Sequence, residues 1–475
     1  MRLDDSVCFL SLKELGEALR SKTISPVELA KTYLDRIERI DDPEKLNAFV
    51  TVTDEEALWA AGRAEEEIRA GRYRGPLHGI PYGLKDLVDT RGIPTTFGAR
   101  PFADRIPDRD ATVKKRLDDA GAILLGKLSM IELAGGLRYT YPDAAFNGPC
   151  RTPWDSTRWA GGSSSGSGAA VAAGLVAFAI GSETWGSITC PASFCGVTGL
   201  RPTYGVVSRH GAMALSFTLD KLGPMGRSAE DCAIVLGAIA GRDPLDATSV
   251  DAPAGLDRVA PSAVAPGLRA AFVDLPTSVP VDPEVRKAFD AALVEFRRAG
   301  VLLEPAALPA FPYEWLAVLF IEAEVRAAFD ELIRSGRTSE LSDRSHRTAS
   351  VTTATAASAA DYVKAMQIRT KLMEAMGAFF ERYDVLVSPT IPFVAPKIEQ
   401  NIDELFGGLA DPVGAGGNLA GLPCVAFPYG FAGPEGKKLP VGMQVVGKPL
   451  DEARVLSVAA LYQSRTTWHR ERPPE

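Results

Sequence analysis

Thirteen consecutive residues, Ala169 to Gly181 (AAVAAGLVAFAIG), carry no charged or hydrogen-bonding side chain. A run of this kind has to be buried, yet it is too short to span a bilayer, which takes about 20 residues as a helix. It reads as a buried helix leading into a strand, so it calls for a large core around it. A chain of 475 residues, 46% of them hydrophobic, can build that core. Glycine and serine bracket the run, GGSSSGSG before it and GSETWGSIT after it.

Strand and helix patterns alternate through the rest of the chain. Residues 9–71 read as helical, with Ser25-Pro26 as an N-cap and first-turn pair. HGIPYGLKDLVDT (78–90) and AGAILLGKLSM (120–130) read as strands, with a helix starting near Asp110 before the second. LRAAFVD, YDVLVSPTIP and LPVGMQVVG are further strands; VRKAFDAALVEFRRAG and DEARVLSVAALYQ are amphipathic helices. Residues 341–361 are poor in large apolar residues and read as a surface connection or a loop over a site. Length alone would allow about three domains. No linker-like break or repeat interrupts the alternation, which predicts one α/β domain over 1–475.

Composition excludes several classes. The net charge of −8 is spread without a block of one sign, so nothing marks a grip on nucleic acid or an anionic membrane. The N-terminal MRLDDSVCFLSLKEL has acidic residues where a secretory signal carries basic ones. Six scattered cysteines show no paired metal-ligand spacing and read as small buried thiols in a reducing, cytoplasmic setting. Only four histidines occur, which leaves little for histidine-based acid–base or metal chemistry. Gly121-x4-Gly126-Lys127 resembles a phosphate loop, but Ala-Ile-Leu-Leu between the glycines calls for burial and Leu128 replaces the magnesium-binding hydroxyl.

The glycine–serine clusters admit four readings. A flexible linker would separate domains, and the apolar run that follows argues against that. No GxGxxG follows an apolar strand, so a dinucleotide loop fails. Gly162-Ser163-Ser164-Ser165-Gly166 matches GxSxG, but the strand that must precede a nucleophile elbow is missing. The fourth reading joins both clusters to a lysine. A serine hydroxyl needs a base to become a nucleophile, and a neutral lysine can be that base if burial lowers its pKa. Lys85, in IPYGLKDLVD, has apolar neighbours on both sides.

HGIPYGLKDLVDTRGIPTTFGA, NGPCRTPWDSTRWAGGSSSGSG with its continuation to VVSRHG, FTLDKLGPMGRSAEDCA, GNLAGLPCVAFPYGF and LPVGMQVVGKPLDEARVLSVA together resemble the amidase signature family. ISPVELAKTYLDRI is similar to its usual opening. The resemblance implies a single large α/β/α domain with a mixed twisted sheet covered by helices. Within it lie N-terminal helices at about 9–71, a signature core at about 76–230, a variable pocket-forming region at about 245–375 and a closing family segment at about 380–465. It implies a Ser–cis-Ser–Lys triad: Lys85 as base, Ser163 as the bridging serine preceded by a cis peptide, and Ser187 as nucleophile. Ser187 follows Ser163 by 24 residues, the family's spacing. The backbone N–H groups of Thr184, Trp185, Gly186 and Ser187 would form the oxyanion hole, where losing one donor typically costs about 10²–10³ in rate. No metal or organic cofactor is implied.

Three positions depart from the family pattern. Glu183 replaces an aspartate, Trp185 a glycine and Thr189 an arginine; Ser164 matches a family serine. With Ser164, Glu183 and Thr189 as neighbours of the pocket, Trp185 is expected to line its acyl side. Loss of the arginine argues against small anionic substrates. These features predict a serine amidohydrolase for neutral, partly apolar amides, anilides or carbamates, with esters open to the same chemistry. The expected partners are a small-molecule substrate, no nucleic acid and no membrane, with the chain as a homodimer. Two rival readings remain. One is the glutamine-hydrolysing A subunit of a tRNA-dependent amidotransferase, to which RPTYGVVSRHG is similar. The other is a non-catalytic binding protein on the same fold.

Overall fold

Local chemistry starts the first helices where the sequence places them. In the computed structural model, Ser11 and Glu14 form a capping box before the helix Leu12–Arg20. Ser25 and Glu28 form another before Pro26–Ile40, with Pro26 in the first turn. The structure describes residues 3–273, 281–343, 357–406, 410–433 and 436–474. The expectation of helix throughout 9–71 needs one correction. A strand, β1 (Phe49–Val52), interrupts it before the helix Asp54–Arg69. Its alternate residues are too few to separate from helical spacing, and antiparallel pairing with a distant strand decides its form.

The other strands are β2 (Pro81–Lys85), β3 (Ile123–Leu128), β4 (Phe178–Glu183), β5 (Thr198–Arg201), β6 (Lys221–Gly226), β7 (Arg269–Phe272), β8 (Leu302–Pro305), β9 (Val385–Pro389), β10 (Cys424–Ala432) and β11 (Leu439–Val446). Among the described residues they form one 11-stranded sheet in the order β1-β3-β2-β4-β6-β5-β10-β11-β9-β7-β8. The β3–β2–β4 and β9–β7–β8 groups are parallel; the pairings between them are antiparallel. The chain is thus a single large mixed α/β domain. Most of 341–361 lies outside the described residues (344–356); beyond it Ser358 caps the long helix Ala359–Arg382.

The apolar run divides as its residues dictate. The helix Ser165–Ala172 is buried on every side, and after the turn that follows, β4 enters the sheet fully buried. β2 and β4 run parallel as neighbours, with Leu84 opposite Ile180. Their C-terminal ends therefore open on the same edge, where sites in parallel sheets gather.

The helix lies so close to neighbouring backbone that only glycine fits at Gly166. A Cβ there would stand 2.3 Å from the Ala48 carbonyl oxygen and 2.5 Å from the Ser129 nitrogen. Overpacking of this kind costs about 1–3 kcal/mol, more than the roughly 1 kcal/mol of helix propensity that alanine adds. Gly166→Ala is therefore expected to lower stability, read as a reduced denaturant midpoint at unchanged m. A raised midpoint would contradict this packing.

Candidate active site

Lys85 ends β2 and is fully buried. Its Nζ lies 2.7 Å from Ser163 Oγ, 2.9 Å from Ser164 Oγ, 2.9 Å from Ser182 Oγ and 3.5 Å from the Ser182 carbonyl oxygen. Burial pushes its pKa well below the ordinary lysine value of 10.5, against the opposite pull of Asp220 and Glu183. The Gly162–Ser163 peptide bond is cis. The Ser164 hydroxyl donates to the Ser182 carbonyl at 3.0 Å and accepts from the Ser182 N–H at 3.2 Å. Its one proton is thereby committed, so toward Lys85 it can only accept.

Ser182 is a hydrogen-bond partner of Lys85 that reading the sequence misses. A signal for it exists, as a hydroxyl at the end of a strand pattern five residues before Ser187. Only the pairing of β2 with β4 brings it to the lysine.

Ser187 closes the second cluster. Its carbonyl accepts the Ser164 N–H at 3.2 Å, which ties the two serine clusters together through the backbone. Its side chain makes no hydrogen bond among the described residues, and the residue is 9% exposed. Ser163, at 2% exposure, is deeper. Gly186 has φ +82°, in the left-handed region that glycine adopts without strain. Among the described residues, the N–H groups of Thr184, Trp185, Gly186 and Ser187 donate to no protein acceptor. Four unpaired donors in one turn are what a developing oxyanion needs.

Three carboxylates hold this turn. Glu183 is buried, and its Oε2 accepts the N–H groups of Ile188 at 2.8 Å and Thr189 at 3.0 Å. Its Oε1 accepts from Arg201 at 3.0 Å and Asn418 at 3.1 Å. Burial would raise this carboxyl, but Arg201, Lys221 and the two backbone amides outweigh it and hold its pKa at about 2. Asp220 accepts the Thr184 hydroxyl at 2.6 Å. Asp411 accepts the Trp185 indole N–H at 2.8 Å. Lys221 donates to Asn418 Oδ1 at 2.6 Å and to the Thr184 carbonyl at 3.3 Å.

The two residues read from the sequence as substrate clues thus serve the turn. Thr189 is buried, with its hydroxyl 3.3 Å from Glu183 Oε2. Trp185 is half-buried, and its ring packs on an apolar cluster that includes Tyr313, Leu316 and Leu419. Both side chains therefore have hydrogen-bond partners inside the protein. Lys127, of the rejected phosphate loop, is buried in β3 and donates to the Val88 carbonyl at 2.7 Å and Thr95 at 2.6 Å. Among the described residues no group of histidine, cysteine and carboxylate side chains could hold a metal ion. None of their helices is long and apolar enough to cross a membrane.

The Amidase family profile matches residues 28–456. The chain belongs to the amidase family. The A subunit of the glutamyl-tRNA(Gln) amidotransferase of Moorella thermoacetica is 39% identical, over 98% of this chain and 98% of the relative. Among solved structures, the peptide amidase of Stenotrophomonas maltophilia has a TM-score of 0.84 at 31% identity, covering 98% of each chain. The corresponding amidotransferase A subunit of Thermotoga maritima has a TM-score of 0.76 at 31% identity, covering 97% of this chain and 95% of its own. Amidase-type cleavage of a carbon–nitrogen bond follows from this membership.

These relatives correct two expectations. A free-standing hydrolase of neutral apolar amides, anilides or carbamates gives way to the amidotransferase reading, because the likeness runs the full length of the chain. With it goes the expectation of a homodimer with a small-molecule substrate alone and no nucleic acid. The overturned substrate reading rested on two departures from the family motif, Trp185 and Thr189, and both side chains have partners within the protein, Asp411 and Glu183, that account for them without a substrate.

Proposed function

We propose that this chain is the glutamine-hydrolysing A subunit of a glutamyl-tRNA(Gln) amidotransferase, with Lys85, Ser163 and Ser187 as its catalytic residues. The observation that carries the reading is the 39% identity to such a protein over 98% of both chains. Partner subunits and a charged tRNA belong to the same reading, as does a cytoplasmic place.

Proton bookkeeping at Lys85 supports a relay. A neutral amine has two N–H groups and one lone pair. Ser164 can only accept, so it takes one N–H. Ser163 and Ser182 then face the second N–H and the lone pair. With Ser182 accepting the N–H, the Ser163 proton points at the lone pair, and Ser163 Oγ is open to take a proton from Ser187. Ser187 Oγ forms its bond to the carboxamide carbon as that proton moves through Ser163 to Lys85. The oxyanion rests on the unpaired N–H groups of 184–187. The tetrahedral adduct collapses with breakage of the C–N bond, and the relay returns the proton to the leaving nitrogen, which departs as ammonia. Water then attacks the acyl-enzyme, giving its proton to Lys85 through Ser163 and regenerating Ser187.

The deciding experiment mixes the chain with the partner subunits of such an enzyme, glutamyl-tRNA(Gln) and glutamine. Glutamine-dependent formation of glutaminyl-tRNA(Gln) is expected, with release of one glutamate per turnover. A chain that neither joins the partners nor hydrolyses glutamine in their presence overturns the reading.

A further inference from the structure

The eight-residue helix Pro412–Leu419 touches the nucleophile turn at both ends. Asp411, its N-cap, accepts the Gly414 N–H through Oδ1 at 2.8 Å and the Trp185 indole N–H through Oδ2 at 2.8 Å. Asn418, two turns further along the same face, donates to Glu183 at 3.1 Å and accepts from Lys221 at 2.6 Å. Both contacts join parts of the chain more than 200 residues apart, 226 for Trp185 and Asp411 and 235 for Glu183 and Asn418. The turn between them holds the unpaired backbone donors and Ser187.

We propose that this helix is a two-point clamp on the nucleophile turn, and that Trp185 and Asp411 are a positioning pair that aims its backbone N–H groups. The inference rests on the assignment of Ser187 as nucleophile. A tryptophan in a donor-bearing turn gains precision only if its side chain is anchored. Here one end of the indole is bonded to a carboxylate that itself caps the helix, and the ring lies on the apolar cluster beneath. Backbone N–H groups have to stand within a few tenths of an ångström of the oxyanion to stabilise it, so loosening the anchor acts on the reaction step more than on binding. The indole–carboxylate contact is separate from the backbone N–H donors, that of Trp185 included. It acts through the turn.

The test uses a fluorophosphonate, which reads attack by Ser187 whatever the natural substrate. Trp185→Phe keeps the ring and loses the N–H. Asp411→Ser keeps a helix cap but is too short to reach the indole. Each is expected to lower the limiting inactivation rate about tenfold, the scale of one lost hydrogen bond to a charged group. The half-saturating probe concentration and the melting temperature should stay close to wild type. The double variant should be no slower than the worse single variant, because both remove the same contact. Unchanged inactivation rates overturn the proposal. So does a double variant about a hundredfold slower, or a change confined to probe affinity. Glutamine hydrolysis, measured in parallel, separates the two readings. A chain labelled at Ser187 that ignores glutamine sinks the glutaminase assignment and leaves this test intact. A wild-type chain that the probe does not label overturns both.

Discussion

Ser187→Ala is expected to abolish turnover while leaving the fold unchanged. Removing the nucleophile of a relay that acts as a unit costs on the order of 10⁶ in kcat, with a residue of catalysis left by the oxyanion donors and binding. The stability change should be small because Ser187 Oγ makes no hydrogen bond among the described residues, so its loss orphans no buried partner. Paired measurements of glutamine hydrolysis and thermal unfolding check both halves. Retained turnover would place the nucleophile elsewhere, and the four serines of the first cluster would be the next candidates.

Lys85→Met should be nearly as damaging, and its effects on pH carry more information. A buried lysine whose pKa is well below 10.5 gives up its proton more readily than an exposed one and so can act as a base. For the wild-type chain, kcat/KM should therefore rise with pH on an acid limb set by Lys85 losing its proton, well below the range of an exposed lysine. Methionine fills similar space without the amine, so the rate should fall by about 10²–10⁴ or more and the acid limb should disappear. A variant that keeps the wild-type acid limb would show that another group titrates there.

The same lysine makes a prediction about stability. Folding lowers its pKa, so between the folded and unfolded values the unfolded chain holds more protons, and stability rises with pH. The penalty is absent above the unfolded value of about 10.4, grows as pH falls toward the folded value, and is complete below it. Lys85→Met removes this term. Three hydroxyls lose a partner in the exchange, which shifts stability by an amount independent of pH. The informative quantity is the slope: the stability of the variant relative to wild type should grow as pH falls from about 10 toward neutrality. Urea titrations across that range measure it, and a gap that stays constant would mean that Lys85 keeps its proton in the folded chain.

Much of the structure was legible in short stretches. Ser25 and Pro26 announce a helix start because capping acts over three or four residues. The apolar run from Ala169 divides into a helix and a strand because its length and its glycine at 174 leave little choice. Lys85 stood out as a lysine among apolar neighbours. Other features could not be read that way. β1 is four residues long and takes its form from pairing with β3. Ser182 looked like one more hydroxyl until β2 and β4 lay side by side.

Thr189 and Trp185 show what a local reading leaves out. As departures from a motif they looked like statements about substrate. In the fold, Thr189 donates to Glu183 and Trp185 to Asp411, so both residues also hold the turn. A side chain's partner decides what its substitution means, and Asp411 is 226 residues from Trp185.

The sequence by itself determined the class of domain, the burial of the central run and the family likeness of the Lys85, Ser163 and Ser187 positions. Propensity, capping and periodicity act between near neighbours, and motifs survive in order along a chain. Tertiary structure alone decided that Ser182 joins the lysine, that three carboxylates grip one turn, and that four backbone donors are left unpaired inside it. Burial and hydrogen-bond geometry depend on which distant residues meet, and the sheet order brings those residues together.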